Sequence, residues 1–207
     1  MQESDRSRFV EAFTFAVEAH GPQTRKGGDV PYTSHLIQVA GLVLEYGGDP
    51  VQASAALLHD VLEDCDVSPE VLRSRFGPEL CAIVERCTDL QTGDTPGRKS
   101  PWLVRKRRYL EQVRTADART RLVVACDKLH NLRNLVSDLR VEGVSTLARF
   151  NASPPQTRWY FESVRAALGD DLPPALLREI DLLLEELAQY IPEAAPDCLR
   201  TPGHPGG

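Results

Sequence analysis

No apolar run in these 207 residues is long enough to cross a membrane. Leu182-Leu183-Leu184 is followed at once by Glu185 and Glu186, whereas a spanning helix needs about 20 apolar residues. The N-terminus, Met1-Gln2-Glu3-Ser4-Asp5-Arg6, has no apolar core of the kind a signal peptide carries. None of the five cysteines forms a C-x-x-C pair, and an odd count suits reduced thiols. Nor is there an excess of basic residues. The 24 Lys and Arg face 30 Asp and Glu, for a net charge of −6 and a pI near 5.4. That balance argues against a general nucleic-acid or anionic-membrane binder. There is no internal repeat. These absences predict a soluble cytoplasmic protein with no nucleic-acid or membrane partner, and they leave its oligomeric state open.

What is present is a series of helix signals. The length predicts one domain with a real core. Phe9, Val10, Phe13, Ala16 and Val17 recur at helical spacing up to Gly21-Pro22. After a loop of glycine and charge, Ser34 is placed to cap a helix carrying Leu36, Ile37, Val39, Ala40, Leu42 and Val43, which Gly47-Gly48 stops. Asp49-Pro50 pairs an N-cap with proline at the first helical position, and Ser68-Pro69 repeats the signal. Gly77-Pro78 opens another amphipathic stretch. Ser100-Pro101 starts a basic helix containing Arg105, Lys106, Arg107 and Arg108. A further helix runs from about Ala118 to Leu139, and two more follow Pro155 and Pro173-Pro174. The polar loop 91–97 is expected to be mobile and the Pro/Gly-rich tail 192–207 disordered. The expectation is an all-α protein, a single helical bundle over residues 1–191. Its motif-bearing core covers about 8–168, and a closing helix covers about 173–191.

One segment resists a structural explanation. His59-Asp60 ends the apolar run Ala53-Ser54-Ala55-Ala56-Leu57-Leu58, and Glu63-Asp64 follow one turn later. Ionised carboxylates buried without partners cost several kcal/mol or more, so such groups pair or bind metal. On one continuous helix, His59 would lie over Glu63 and Asp60 over Asp64. Imidazole and carboxylate suit a divalent transition ion, but two residues cannot complete its coordination. His35 and Asp127 are two further candidates in apolar helices. Each of these residues has a bland reading singly: His35 as a helix-start residue with a satisfied hydrogen bond, Asp127 in an ion pair with Lys128 or Arg133, Glu63-Asp64 as a solvated helix end. All holding together is the weaker explanation.

His35, His59-Asp60 and Asp127 resemble, in order and spacing, the H…HD…D signature of HD-domain metal phosphohydrolases. The resemblance is closer to the hydrolase domain of RelA/SpoT-type alarmone enzymes and to free-standing small alarmone hydrolases of the metazoan SpoT-homologue kind. The matching segments are Thr24-Arg25-Lys26-Gly27-Gly28, Pro31-Tyr32-Thr33-Ser34-His35, Ala55 to Asp64, and Ala125-Cys126-Asp127-Lys128-Leu129-His130-Asn131-Leu132-Arg133. Trp159-Tyr160-Phe161-Glu162 is a weaker match. Leu36 stands where the family usually has proline, and Cys126 where alanine is common; neither supplies a ligand.

The resemblance implies that His35, His59, Asp60 and Asp127 hold one divalent ion, usually Mn²⁺. The substrate is then (p)ppGpp, cleaved at its 3′-pyrophosphate to GDP or GTP and pyrophosphate. Glu63 is expected as base or water-positioning group with Asp64 in support, and Arg25, Lys26 and Lys106 as phosphate contacts. Asn131 would meet ribose or phosphate, and Tyr160 the nucleotide. His130 is expected to be structural or to support the ligands, and His20 and His204 carry no claim. The length leaves no place for a synthetase domain, so a hydrolase-only form is expected. Two readings stay open beside this one. One is an HD phosphohydrolase acting on another nucleotide, such as the 2′-phosphate of NADPH, a dNTP or a nucleoside monophosphate. The other is an inactive module that binds alarmone.

Overall fold

The computed structural model describes residues 2–89 and 100–193. The loop 91–97 and the tail from 194 onward, both singled out above, lie outside the described residues. Within them the protein is all-α: α1 (Glu3–His20), α2 (Thr33–Glu45), α3 (Pro50–Leu58), α4 (Val61–Asp64), α5 (Pro69–Phe76), α6 (Pro78–Cys87), α7 (Trp102–Arg114), α8 (Ala118–Glu142), α9 (Pro154–Leu168) and α10 (Pro174–Tyr190). A 3-10 segment, Gly143–Arg149, links α8 to α9. No described helix is long and apolar enough to cross a membrane.

Some of the start signals act through side chains, whereas Ser68 precedes α5 with no side-chain cap. Asp49 accepts from the Val51 and Gln52 amides, and Gln52 closes a capping box on the Asp49 amide. Ser153 and Gln156 repeat the box at α9, and Asp117 caps α8 by accepting from the Thr120 amide. Such caps satisfy donors that a helix start leaves open, at about 1 kcal/mol each. Ser34 does not cap α2. The helix begins one residue earlier, at Thr33, with Tyr32 preceding it.

The long helix α8 is the hub, packed against α2, α3, α6, α7, α9 and α10. Leu129, Leu132, Leu135, Val136 and Leu139 carry its buried face, and the run Leu122 to Cys126 is buried as well. Asp127 and His130 are the polar exceptions in this wall. α2 and α3 pack on each other and on α8, which brings the start of α2, the end of α3 and the middle of α8 to one place.

Candidate metal centre and active-site cleft

α3 stops at Leu58, and α4 starts only at Val61, so the acidic cluster does not lie on one continuous helix. Asp60 sits at φ −102°, ψ −6°, in the sparsely populated bridge region where many active-site residues lie. This corrects the expectation of two parallel columns. Helical spacing carries no signal for a two-residue break that keeps local right-handed turns. The break turns the Asp60 carboxylate back towards the His59 ring: Oδ2 lies 3.0 Å from His59 Nε2.

His35 from the first turn of α2 and Asp127 from mid-α8 complete a cluster. His35 Nε2 lies 3.2 Å from His59 Nε2, 3.3 Å from Asp127 Oδ1 and 3.6 Å from Asp60 Oδ2; His59 Nε2 lies 3.6 Å from Asp127 Oδ1. Donor atoms about 2.1 Å from one ion stand about 3.0–3.4 Å apart in octahedral or tetrahedral arrangements. The spacing therefore fits a single divalent ion.

Ring tautomers strengthen the fit. His59 Nδ1 lies 2.7 Å from the Ala56 carbonyl oxygen, which can only accept. His59 therefore donates from Nδ1 and presents a lone pair at Nε2. His35 Nδ1 lies 2.7 Å from His130 Nδ1. Burial, with the positive influence of His35 and Arg25, pushes His130 down to about 3, so it is neutral. With the shared proton on His35, its Nε2 too is left with a lone pair. Two imidazole lone pairs face each other across 3.2 Å with two carboxylates beside them. A cation between them relieves that arrangement. A proton is the minimal substitute: burial opposes charge on His59, but Asp60 and Asp127 outweigh it and raise its pKa well above the ordinary value. Asp127 is held well below the carboxylate range against the pull of burial, by Lys128 and the two histidines.

This cluster lies at the floor of a cleft of about 870 Å³. Asp60 and Asp127 reach into it, while His35 and His59 are buried behind. Every other residue predicted for the site lines it: Arg25, Lys26, Glu63, Asp64, Lys106, Asn131 and Tyr160. Asn131 Nδ2 donates to Asp127 Oδ1 (2.5 Å), and Arg25 Nη2 donates to Asn131 Oδ1 (2.8 Å). Asp64 is exposed at the rim and accepts from Gln23 Nε2 at 3.2 Å. Of the basic run in α7, Arg105 and Lys106 turn inward, whereas Arg107 and Arg108 are exposed. Lys106 Nζ stands 4.9 Å from the Tyr160 ring centre. Tyr160 Oη is buried with no hydrogen-bond partner among the described residues.

Several site residues escaped the sequence reading. Tyr32 donates its hydroxyl to Asp60 Oδ2, and burial with the Asp60 charge raises its pKa far enough to keep that proton in place. Its only signal was its position three residues before His35. Lys128, considered only as an ordinary ion-pair partner, does pair with Asp127 Oδ2 at 2.7 Å, yet it also lines the cleft. Asp89, 3% exposed, binds both Arg105 and Lys106 and turns them toward the cleft. It had no signal in sequence. Arg149 packs over Gly27: a Cβ there, at φ +86°, would fall 2.7 Å from the Arg149 side chain. Asp138 and Thr146 hold that guanidinium.

A family model described as an HD domain matches residues 12–152, and the chain belongs to that family. Within it, the chain is 37% identical over 135 residues to guanosine-3′,5′-bis(diphosphate) 3′-pyrophosphohydrolase MESH1 of Xenopus tropicalis, covering 64% of this chain and 72% of that protein. It is 38% identical over 124 residues to a probable guanosine-3′,5′-bis(diphosphate) 3′-pyrophosphohydrolase of a Synechocystis species, and 35% identical over 125 residues to the GTP pyrophosphokinase rsh of Brucella ovis. The chain spans only 16% of the length of each of these two. Among solved structures, it is similar to a metazoan orthologue of SpoT that hydrolyses ppGpp. The TM-score is 0.71 at 29% identity, over 87% of this chain and 95% of that one. The lmo0812 protein of Listeria monocytogenes EGD-e superposes with a TM-score of 0.63 at 26% identity, over 75% and 97% of the two chains.

Proposed function

We propose that this protein hydrolyses the 3′-pyrophosphate of (p)ppGpp, giving GDP or GTP and pyrophosphate, with one divalent ion, Mn²⁺, held by His35, His59, Asp60 and Asp127. The observation that carries the reading is the composition of the cleft around those donors. Glu63, Asp64, Asp138 and Glu142 line it together with Arg25, Lys26, Arg105, Lys106, Lys128 and Arg149. A protein of net charge −6 thus gathers six cations around one site. A substrate rich in phosphate calls for that arrangement. The activity named for the MESH1 relatives accords with it.

When bound, the ion supplies Lewis acidity, lowering the pKa of water from about 15.7 towards about 7 and drawing charge from phosphate oxygens. The chain's own groups do the rest. Glu63, with Asp64 in support, orients the attacking water and takes its proton. The water oxygen bonds to the inner phosphorus of the 3′-diphosphate. The bond from that phosphorus to ribose O3′ breaks, O3′ takes up a proton, and pyrophosphate leaves. Lys106, Arg25 and Lys26 bind phosphate oxygens, Asn131 hydrogen-bonds ribose or phosphate, and Tyr160, with its unpartnered hydroxyl, contacts the nucleotide. Lys128 stays on Asp127 and offsets its charge.

The test is turnover of (p)ppGpp, NADPH, dGTP and a cyclic nucleotide with Mn²⁺, with and without chelator. Release of pyrophosphate from (p)ppGpp that chelator abolishes is expected. Turnover of another nucleotide with (p)ppGpp untouched overturns the reading.

A further inference from the structure

We propose that His20, the last residue of α1, is a positioning residue that fixes Asp64 through Gln23 and Asp60 through Tyr32. It takes from the reading above the tasks assigned to Asp64 and Asp60.

The Gln23 amide has one donor end and one acceptor end. Its Nε2 donates to Asp64 Oδ2 at 3.2 Å, and an ionised carboxylate can only accept. Its Oε1 therefore faces His20, whose Nδ1 lies 2.7 Å away. His20 must then carry its proton on Nδ1. A neutral ring with that proton has a lone pair at Nε2, an atom that is buried with no hydrogen-bond partner among the described residues. An unsatisfied buried acceptor is destabilising. The ring is only 4% exposed, and its hydrogen bond to Gln23 is made from that buried position.

The same ring serves the metal side. It stacks on Tyr32 with centroids 4.9 Å apart and planes at 24°, and Tyr32 donates its hydroxyl to Asp60. The backbone ties the group together. The Gln23 amide donates to the His20 carbonyl at 3.0 Å, and the Tyr32 amide donates to the Gln23 carbonyl at 2.9 Å. Asp64 is exposed, and a solvent-facing carboxylate with one mobile partner would swing freely. A donor clamped by a buried imidazole removes that freedom, which is how a supporting shell holds a reacting group in place.

Two measurements test this. In the metal-free protein without nucleotide, ¹⁵N NMR should show His20 as the Nδ1–H tautomer and slow solvent exchange of the Gln23 side-chain amide. That protection should be lost in His20→Phe, which keeps a ring against Tyr32, and kept in His20→Asn, which returns a donor near the Nδ1 position. In turnover of (p)ppGpp, His20→Phe and Gln23→Met should each lower kcat about 10-fold with KM within about twofold, and the double variant should be no worse than either. His20→Asn should recover most of the loss. An Nε2–H tautomer, additive losses, or His20→Asn no better than His20→Phe would overturn the proposal. If His20→Phe does not fold, Gln23→Met decides: wild-type kcat in that variant overturns it. If the wild-type protein leaves (p)ppGpp intact, the functional reading fails, while the tautomer and the amide exchange still decide this proposal.

Discussion

His35 Nδ1 and His130 Nδ1 lie 2.7 Å apart, so the two rings share one proton between them. A metal-binding imidazole is commonly oriented by an acceptor on its far nitrogen, and loss of that acceptor lowers affinity about 10–100-fold. His130→Ala should weaken Mn²⁺ binding in that range by titration calorimetry. Affinity unchanged within twofold would mean that His35 holds its tautomer without help.

Glu63 and the four donor residues should separate cleanly by substitution. Glu63→Gln is expected to keep Mn²⁺ affinity while kcat falls about 10²–10⁴-fold, the range for a positioned acid or base. His59→Ala should lose both metal and turnover. Full activity in Glu63→Gln would remove that residue from the chemistry.

Asp89 gives a pH prediction. Burial would raise its pKa, but Lys106 and then Arg105 outweigh that and hold it below the ordinary value. A carboxyl depressed in the folded state contributes stability above its unfolded pKa of about 3.9, and loses it as pH falls through the lower folded value. Asp89→Asn leaves two largely buried cations without their carboxylate, and should cost at most about 3–5 kcal/mol near neutral pH. Urea unfolding across a pH series should show the gap to wild type narrowing below about pH 4. A gap that is constant in pH would place the effect in packing.

Metal removal should be visible without substrate. A ligand that binds only the folded state at 100 times its Kd stabilises it by about 2.7 kcal/mol. Thermal unfolding should therefore occur at a higher temperature with Mn²⁺ than with chelator, and His59→Ala should abolish the difference. An equal shift in that variant would locate the ion elsewhere.

Much of this site was legible as residue types and little of it as geometry. Asp49-Pro50, Ser68-Pro69 and Gly77-Pro78 each open a helix where expected, because caps and prolines act within one turn. The H…HD…D pattern pointed to residues that do meet. Their meeting, however, depends on packing between α2, α3 and α8, across separations that periodicity does not encode. The break between Leu58 and Val61 left no trace either, since neither glycine nor proline marks it. Asp89 and Gln23 are ordinary polar residues in sequence, and only their neighbours in space show what they hold. His20 had no claim as a histidine near a glycine turn, yet its ring contacts the chain of hydrogen bonds leading to both carboxylates.

Gly27 leads to a different kind of consequence. The space that a side chain would fill at that position belongs to Arg149, so the loop 24–28 lies directly against the 3-10 segment. Any larger residue there must take up a strained φ of +86° and push the Arg149 side chain aside or lift the loop, and either shift alters the spacing between these two walls. How closely these two walls of the cleft approach is therefore tied to the absence of a side chain at residue 27, a position that supplies no group proposed to hold the metal or the water.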